Sequence, residues 1–177
     1  MDGKSDVELK FGRYRLRPFR RGDEPAIAEN INDRLIERYT LNIPHPYTLQ
    51  MARQWVDFNR KLKRAGDTTQ RNFAIDLDGS VIGGVGLFRI NGHSGEIGYW
   101  LGVKYWGRGI VPGAVKALTR YALKELKLRR VYAKVFSVNK ASARVLEKAG
   151  YKYEGCLVKD HLKHGRPVDA LVYAKTR

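Results

Sequence analysis

The sequence of 177 residues predicts an α/β domain (α+β by some schemes), with a mixed, mostly antiparallel sheet of about seven strands flanked by four helices. Three observations predict it. Strand-length runs of alternating apolar residues are bounded by Gly, Asp and Asn. Longer runs repeat apolar residues at spacings of three and four, which is the helical period. Asp78-Gly79 marks an antiparallel hairpin in the first half, whereas strands and helices alternate in the second half as parallel crossovers do. Residues 1–13 are set apart as an N-terminal segment and 14–177 as a single domain.

Tyr14 to Phe19 reads as a short edge strand whose arginines, Arg13, Arg15 and Arg17, share a wet face. Arg20-Arg21-Gly22-Asp23 turns the chain, and Asp23 is positioned to cap a helix starting at Glu24-Pro25, with Ile27, Ile31 and Leu35 on its apolar stripe. Tyr39 to Thr48, with Pro44, His45, Pro46 and Tyr47, reads as an aromatic loop suited to a substrate lip. Thr48 caps a helix over Leu49 to Arg64, and Met51, Trp55, Phe58 and Leu62 form its apolar face. Strands follow over Asn72 to Asp76 and Val81 to Ile90; Gly83, Gly84 and Gly86 inside the second suggest a bulge or a close backbone approach.

Glu96 to Val103 is the next strand, and its glycine face leaves room for something thin beside the backbone. A helix runs from Val111 to about Leu126, with Val115, Leu118 and Ala122 facing inward. Arg130 to Phe136 is a strand. Asn139 starts a helix that carries Ala143, Leu146 and Ala149 and ends at Gly150. Strands over Tyr151 to Val158 and Val168 to Lys175 close the chain, and Cys156 reads as a small core residue of the first.

Composition narrows the class. Hydrophobic residues make up 43% and aromatics 11%, which fits a globular protein and excludes a disordered one. The single cysteine excludes an internal disulfide and a Cys-based zinc site, and it fits a reducing compartment. Met1 to Lys10 is polar and unlike a signal peptide, and no apolar run is long enough to span a membrane, so a cytoplasmic protein is expected. The net charge of +16 implies attraction to polyanions such as nucleotides, RNA or the ribosome. Basic clumps fall at Arg13/Arg15/Arg17/Arg20/Arg21, Arg60/Lys61/Lys63/Arg64 and Lys124/Lys127/Arg129/Arg130.

Chemistry concentrates at Trp106-Gly107-Arg108-Gly109-Ile110-Val111-Pro112-Gly113. A glycine turn that opens a helix presents free backbone N–H groups and the positive end of the helix dipole to an anion. The turn lacks the G-x-x-x-x-G-K-[ST] pattern of a P-loop. Its G-x-G-x-x-x-G spacing, without an acidic residue ending the next strand, disfavours a dinucleotide. A phosphate ligand of another kind and a tight turn with no ligand both remain open on these residues alone.

Four segments together resemble the GNAT N-acetyltransferase superfamily, in the branch of RimJ/RimL-type ribosomal-protein N-terminal acetyltransferases. They are Leu16-Arg17-Pro18, Glu96-Ile97-Gly98-Tyr99-Trp100-Leu101, Trp106-Gly107-Arg108-Gly109, and Asn139 to Tyr151 followed by Glu154-Gly155. The resemblance implies the GNAT fold and acetyl-CoA as co-substrate. The backbone of Arg108, Gly109, Ile110, Val111 and Gly113 would cradle its pyrophosphate. The main chain of Leu101, Gly102 and Val103 would pair with the pantetheine arm, which Asn139 would also bond, and Ser142 would lie near the sulfur.

The family's turn usually begins with Gln or Arg, where this chain has Trp106; its second small residue is Val111 here. Leu146 stands where many relatives place a tyrosine acid, which leaves Ser142 or solvent to protonate the thiolate. An amine attacks the thioester directly, so a base is needed but no nucleophilic side chain. Glu96 is the first candidate base, and Glu154, Asp160 and His161 are rivals. Tyr39, His45, Tyr47 and His161 are candidate acceptor contacts. His161 and His164 lack an evident third ligand, so no metal is expected. The expected acceptor is a protein N-terminus, with a small amine such as an aminoglycoside, polyamine or amino acid as the alternative. A second class is a basic RNA- or ribosome-binding protein that retains the fold. A monomer or a homodimer is compatible with the sequence.

Overall fold

The computed structural model describes residues 7–177. The polar stretch read at the N-terminus falls in part on residues 1–6, which lie outside the described residues. In chain order the elements are β1 Leu9–Phe11, β2 Tyr14–Arg17, α1 Glu24–Ile31, α2 Arg34–Tyr39, α3 Leu49–Arg64, β3 Arg71–Leu77, β4 Ser80–Asn91 and β5 Ser94–Leu101. A short 3-10 turn at Val103–Tyr105 follows, then α4 Ile110–Lys124, β6 Arg130–Phe136, α5 Lys140–Lys148, β7 Lys152–Lys163 and β8 Arg166–Thr176. Eight strands make one sheet in the order β1-β2-β3-β4-β5-β6-β8-β7. Every neighbouring pair is antiparallel except β5 and β6. The expected class holds, with one more strand and one more helix than anticipated.

The extra elements have local causes. β1 pairs with β2, so β2 is interior rather than an edge. The first helix stops at Ile31 because the Asp33 carboxylate caps a new one, accepting from the Leu35 N–H at 2.7 Å. Leu35 therefore leaves the apolar stripe and is 41% exposed. Asp23 does not cap α1. Its carboxylate instead takes both terminal guanidinium nitrogens of Arg17, at 2.8 and 2.9 Å. Arg17 is correspondingly 1% exposed, the reverse of the wet face expected for it. Thr48 and Asn139 do cap α3 and α5, accepting from Met51 N–H and Ser142 N–H.

Two cores lie on opposite faces of the sheet. α4 and α5 cover one face over Leu16, Ile75, Leu87, Val131, Val135 and Leu146. α1, α2 and α3 cover the other over Ile27, Ile31, Ile36, Val56, Ala74 and Val81. On α3 the inward residues are Ala52 and Val56; Trp55 packs partly against Phe19, and Phe58 is exposed. Cys156 is exposed on the edge strand β7 rather than buried in the core. No helix among the described residues is long and apolar enough to cross a membrane.

Candidate active site

The site begins where a ladder ends. β5 and β6 pair only at Ser94–Arg130, Gly95–Val131 and Glu96–Tyr132. Beyond that point β5 continues to Leu101 and β6 to Phe136 without pairing to each other. Gly102 N–H donates to Ile82 O at 2.9 Å. By the alternation of the antiparallel ladder, Gly98 and Trp100 also point their backbone groups at β4. The backbones of Tyr99 and Leu101 then face the gap, which makes them better placed than Gly102 and Val103 to pair with an extended guest. Gly102 is packed against Asn30, which lies 3.1 Å from where a Cβ would stand. The space beside the β4 and β5 glycines is filled from within: a Cβ at Gly84 would meet the Trp100 indole, and one at Gly98 the Phe88 ring.

The glycine turn sits at the end of β5, at the start of α4. Gly107 and Gly109 have φ of +75° and +72°, a conformation that L side chains resist. Open space surrounds both, so their backbone angles and not crowding require glycine. Gly113 differs: its N–H lies 3.4 Å from Gly109 O, and a Cβ there would stand 2.8 Å from the Phe11 ring. Its small size serves the packing of β1 on α4, which leaves Arg108, Gly109, Ile110 and Val111 as the turn's outward donors. Trp106 explains its own departure from the family pattern. Its indole N–H donates to Leu101 O at 2.8 Å and ties the turn back to the strand end.

Ser142 occupies the first turn of α5, on the α4/α5 face of the gap. Its Oγ lies 2.7 Å from the phenol oxygen of Tyr99, the contact that sequence reasoning missed. Burial raises the Tyr99 phenol, with the Ser142 bond acting the other way, so the group stays protonated. Leu146, one turn further along α5, is fully buried. The Tyr99 phenol therefore reaches the Ser142 hydroxyl from the strand. Period-2 alternation placed Tyr99 on the inner face; which side chain waited there depends on how α5 docks. Asn139 spends its Oδ1 on capping α5 and keeps its amide N–H groups for other partners.

The opposite face of the gap is charged. Glu96 accepts from Arg89 at 2.5 Å. Tyr132 and Lys134 extend from β6 on the same side by strand alternation. Lys134 Nζ donates to Asp160 at 3.1 Å, and His161 Nε2 lies 3.4 Å from the same carboxylate oxygen. The His161 ring meets Phe136 edge to face, at 5.7 Å between centroids. Arg89 is raised first by its bond to Glu96, with further support from Tyr132 and Asp160. Burial and the Glu96 charge raise the Tyr132 phenol. Arg89, bonded to Glu96, also feels the charge of Asp160, and His161 sits beside Asp160, against Phe136 further along β6, whereas Glu154 is drawn off to Arg130 at 2.5 Å.

Of the remaining acceptor candidates, Tyr47 packs, as Trp55, Trp100 and Val103 do, against the core on the α1/α3 face, and burial raises its phenol. Tyr39 ends α2 beneath the Arg38 guanidinium, and His45 is exposed. His164 and Lys163 both reach Glu37, at 2.8 and 2.6 Å, and bridge the β7–β8 turn to α2. Lys163 first, then His164, hold the Glu37 carboxyl below its ordinary value against the opposing effect of burial. His164 is therefore turned away from His161, and no group of three or more metal-ligating side chains assembles among the described residues.

A gap between two parallel strands, a glycine turn beyond the end of one and a hydroxyl in the first turn of the helix after the other make up the site. The acetyltransferase (GNAT) domain family matches residues 13–152, and the chain belongs to that family. It is an N-acetyltransferase, an acyltransferase by class. It is similar to the uncharacterized N-acetyltransferase p20 of Bacillus licheniformis, 30% identical over 166 residues and 92% of each chain. It is also similar to the ribosomal-protein-serine acetyltransferase of Escherichia coli, 29% identical over 163 residues, 85% of this chain and 89% of that one. The solved RimJ of Mycobacterium smegmatis, in complex with a CoA-disulfide, shares the fold with a TM-score of 0.85, 24% identity and coverage of 97% and 86%.

Proposed function

We propose that this chain acetylates the α-amino group of a protein N-terminus, with ribosomal proteins as the acceptor class. The gap between β5 and β6 carries the reading, because it offers different chemistry on each side of the sheet. The α4/α5 side presents the turn donors, Asn139 and Ser142. The α1/α3 side presents Glu96, Asp160, His161 and Phe136 to an incoming amine. The residues fit acetyl-CoA. Arg108, Gly109, Ile110 and Val111 would hold its pyrophosphate with backbone N–H groups at a helix start. Tyr99 and Leu101 would pair with its pantetheine arm, and the Asn139 amide would bond that arm. Acetyl-CoA bound there supplies an activated acyl carbon.

The residues then have separate tasks. Glu96 draws the proton from the acceptor ammonium, directly or through water, while its ion pair with Arg89 fixes the carboxylate in place. Ser142 Oγ directs its proton toward the leaving sulfur, with Tyr99 filling one of its lone pairs. Glu96→Gln is expected to lower kcat by at least about 100-fold, the usual scale for a general base. His161→Asn should cost less than about 10-fold; the reverse order, read in steady-state kinetics, gives the base role to His161. Gly109→Val forces a β-branched residue to positive φ, a strain of roughly 1–3 kcal/mol, and disturbs the turn donors. It should abolish the thermal stabilisation that acetyl-CoA gives the wild-type chain. The acceptor is tested with a peptide-N-terminus library beside polyamines, aminoglycosides and free amino acids. Faster turnover of any free amine than of every peptide overturns the protein-acceptor reading.

A further inference from the structure

We infer that the outer surface of α4 and α5 is a docking face for double-helical RNA. The structure sorts the charge that the sequence only counted. Arg13, Arg15 and Arg17 are paired with Asp78, Asp76 and Asp23, and Arg130 with Glu154. Lys104, Arg89, Lys134 and Lys163 also have carboxylate partners. A different set stands uncompensated. Lys116, Arg120 and Lys124 lie on α4 at i, i+4 and i+8, and Lys140, Arg144 and Lys148 repeat that spacing on α5. All six are exposed, and none has an ion-pair partner among the described residues.

The two stripes share one surface. On α4 the buried residues are Ile110, Ala114, Val115, Leu118, Thr119 and Ala122, which puts the cations on the opposite side of the helix. On α5 the buried residues are Ala143 and Leu146, with the same consequence. Both helices cover one face of the sheet and touch each other. The cations therefore form two rows, each about 12 Å long, on helices roughly 10 Å apart. The acids nearby are Glu125 at the end of α4 and Glu147, which already accepts from Tyr173.

The texture of the face selects its partner. Its centre holds none of the large exposed apolar residues, with Val138 and Tyr153 only at its margin beside α5, whereas protein interfaces have an apolar or aromatic centre and membrane-binding helices need an apolar side. It carries no aromatic platform on which unpaired bases would stack. Bare cations at about 6 Å intervals suit a phosphate backbone, which is how proteins read double-stranded RNA by shape. The choice of RNA over DNA rests on the ribosomal-protein reading above.

The test uses the full chain, a 20-base-pair RNA duplex and fluorescence anisotropy across a salt series. Six phosphate contacts predict a log–log salt slope of about −5. Arg120→Gln/Lys124→Gln/Lys148→Gln should flatten the slope to about −3 and weaken binding at least about 10-fold at 0.1 M salt. Arg53→Gln/Lys61→Gln/Arg64→Gln, on α3 across the sheet, should leave both unchanged. Absence of wild-type binding at 50 mM salt, or equal losses from the two triple variants, overturns the proposal. So does a DNA duplex of equal length, or vesicles of anionic lipid, that bind as tightly. Peptide acetylation and acetyl-CoA thermal shifts are measured on the same variants. RNA binding without peptide acetylation sinks the acceptor reading alone, and acetylation without RNA binding sinks this one alone.

Discussion

Arg17→Ala is expected to destabilise the fold by about 3–5 kcal/mol, because it strips the buried Asp23 of its close counter-ion and leaves the buried Asp76 with Arg15 alone. Arg17 bridges Asp76 at 2.7 Å and Asp23 at 2.8 and 2.9 Å, and donates to Pro18 O at 3.1 Å. It thereby joins β2, β3 and the start of α1. At roughly 2–4 °C per kcal/mol for a chain of this size, the melting temperature should fall by about 6–20 °C. Burial pushes the Asp76 carboxyl up, but Arg17, Arg15 and the Gly79 N–H outweigh it and hold the group below its ordinary value. A depressed carboxyl contributes stability that is complete above its unfolded pKa of about 3.9 and is lost as pH falls through the folded value. Urea melts of wild type and variant should therefore differ most at neutral pH and converge in acid. A loss below about 1 kcal/mol at pH 7 would show that the surrounding structure absorbs the charges.

Ser142→Ala is expected to lower kcat about 100-fold, with little change in the KM for acetyl-CoA. In the role proposed for it, the hydroxyl acts on the leaving sulfur, which becomes a better acceptor only as the thioester breaks, so its loss should fall on turnover rather than on binding. Tyr99→Phe should cost about 10-fold in the wild-type background and almost nothing in the Ser142→Ala background. Two residues that act through one hydrogen bond show such coupling in a double-mutant cycle. The phenol is kept neutral by burial, so it can donate to the Ser142 oxygen and leave the serine proton free for sulfur. A Tyr99→Phe defect of the same size in both backgrounds would detach Tyr99 from Ser142. Thermal melts of both variants separate a catalytic loss from a folding loss.

The turn, the caps and the helices of the second half were legible in sequence because their causes are local. Gly107 and Gly109 need left-handed backbone, Thr48 and Asn139 cap three residues ahead, and Val115, Leu118 and Ala122 repeat at the helical period. Errors arose where a side chain is claimed by a distant partner. Arg17 alternates as a wet-face residue should, yet Asp76, 59 positions away, buries it. Asp23 has the chemistry of a cap and gives it to Arg17. Cys156 sits among apolar residues, but β7 is the sheet's edge and leaves it exposed.

The same division runs through the site. By itself the sequence determined a glycine turn at the head of α4, a capped α5 carrying Ser142 and an excess of positive charge, since each follows from neighbouring residues or from counting. Only the tertiary structure decided that β5 and β6 part after Glu96 and Tyr132, that Tyr99 meets Ser142, and that Arg89 stands between the charges of Glu96 and Asp160, with His161 beside Asp160. It also decided which cations remain without carboxylate partners. These are consequences of how strands and helices from separate parts of the chain pack. Pairing and burial between residues far apart in sequence leave no periodicity for a local reading to detect.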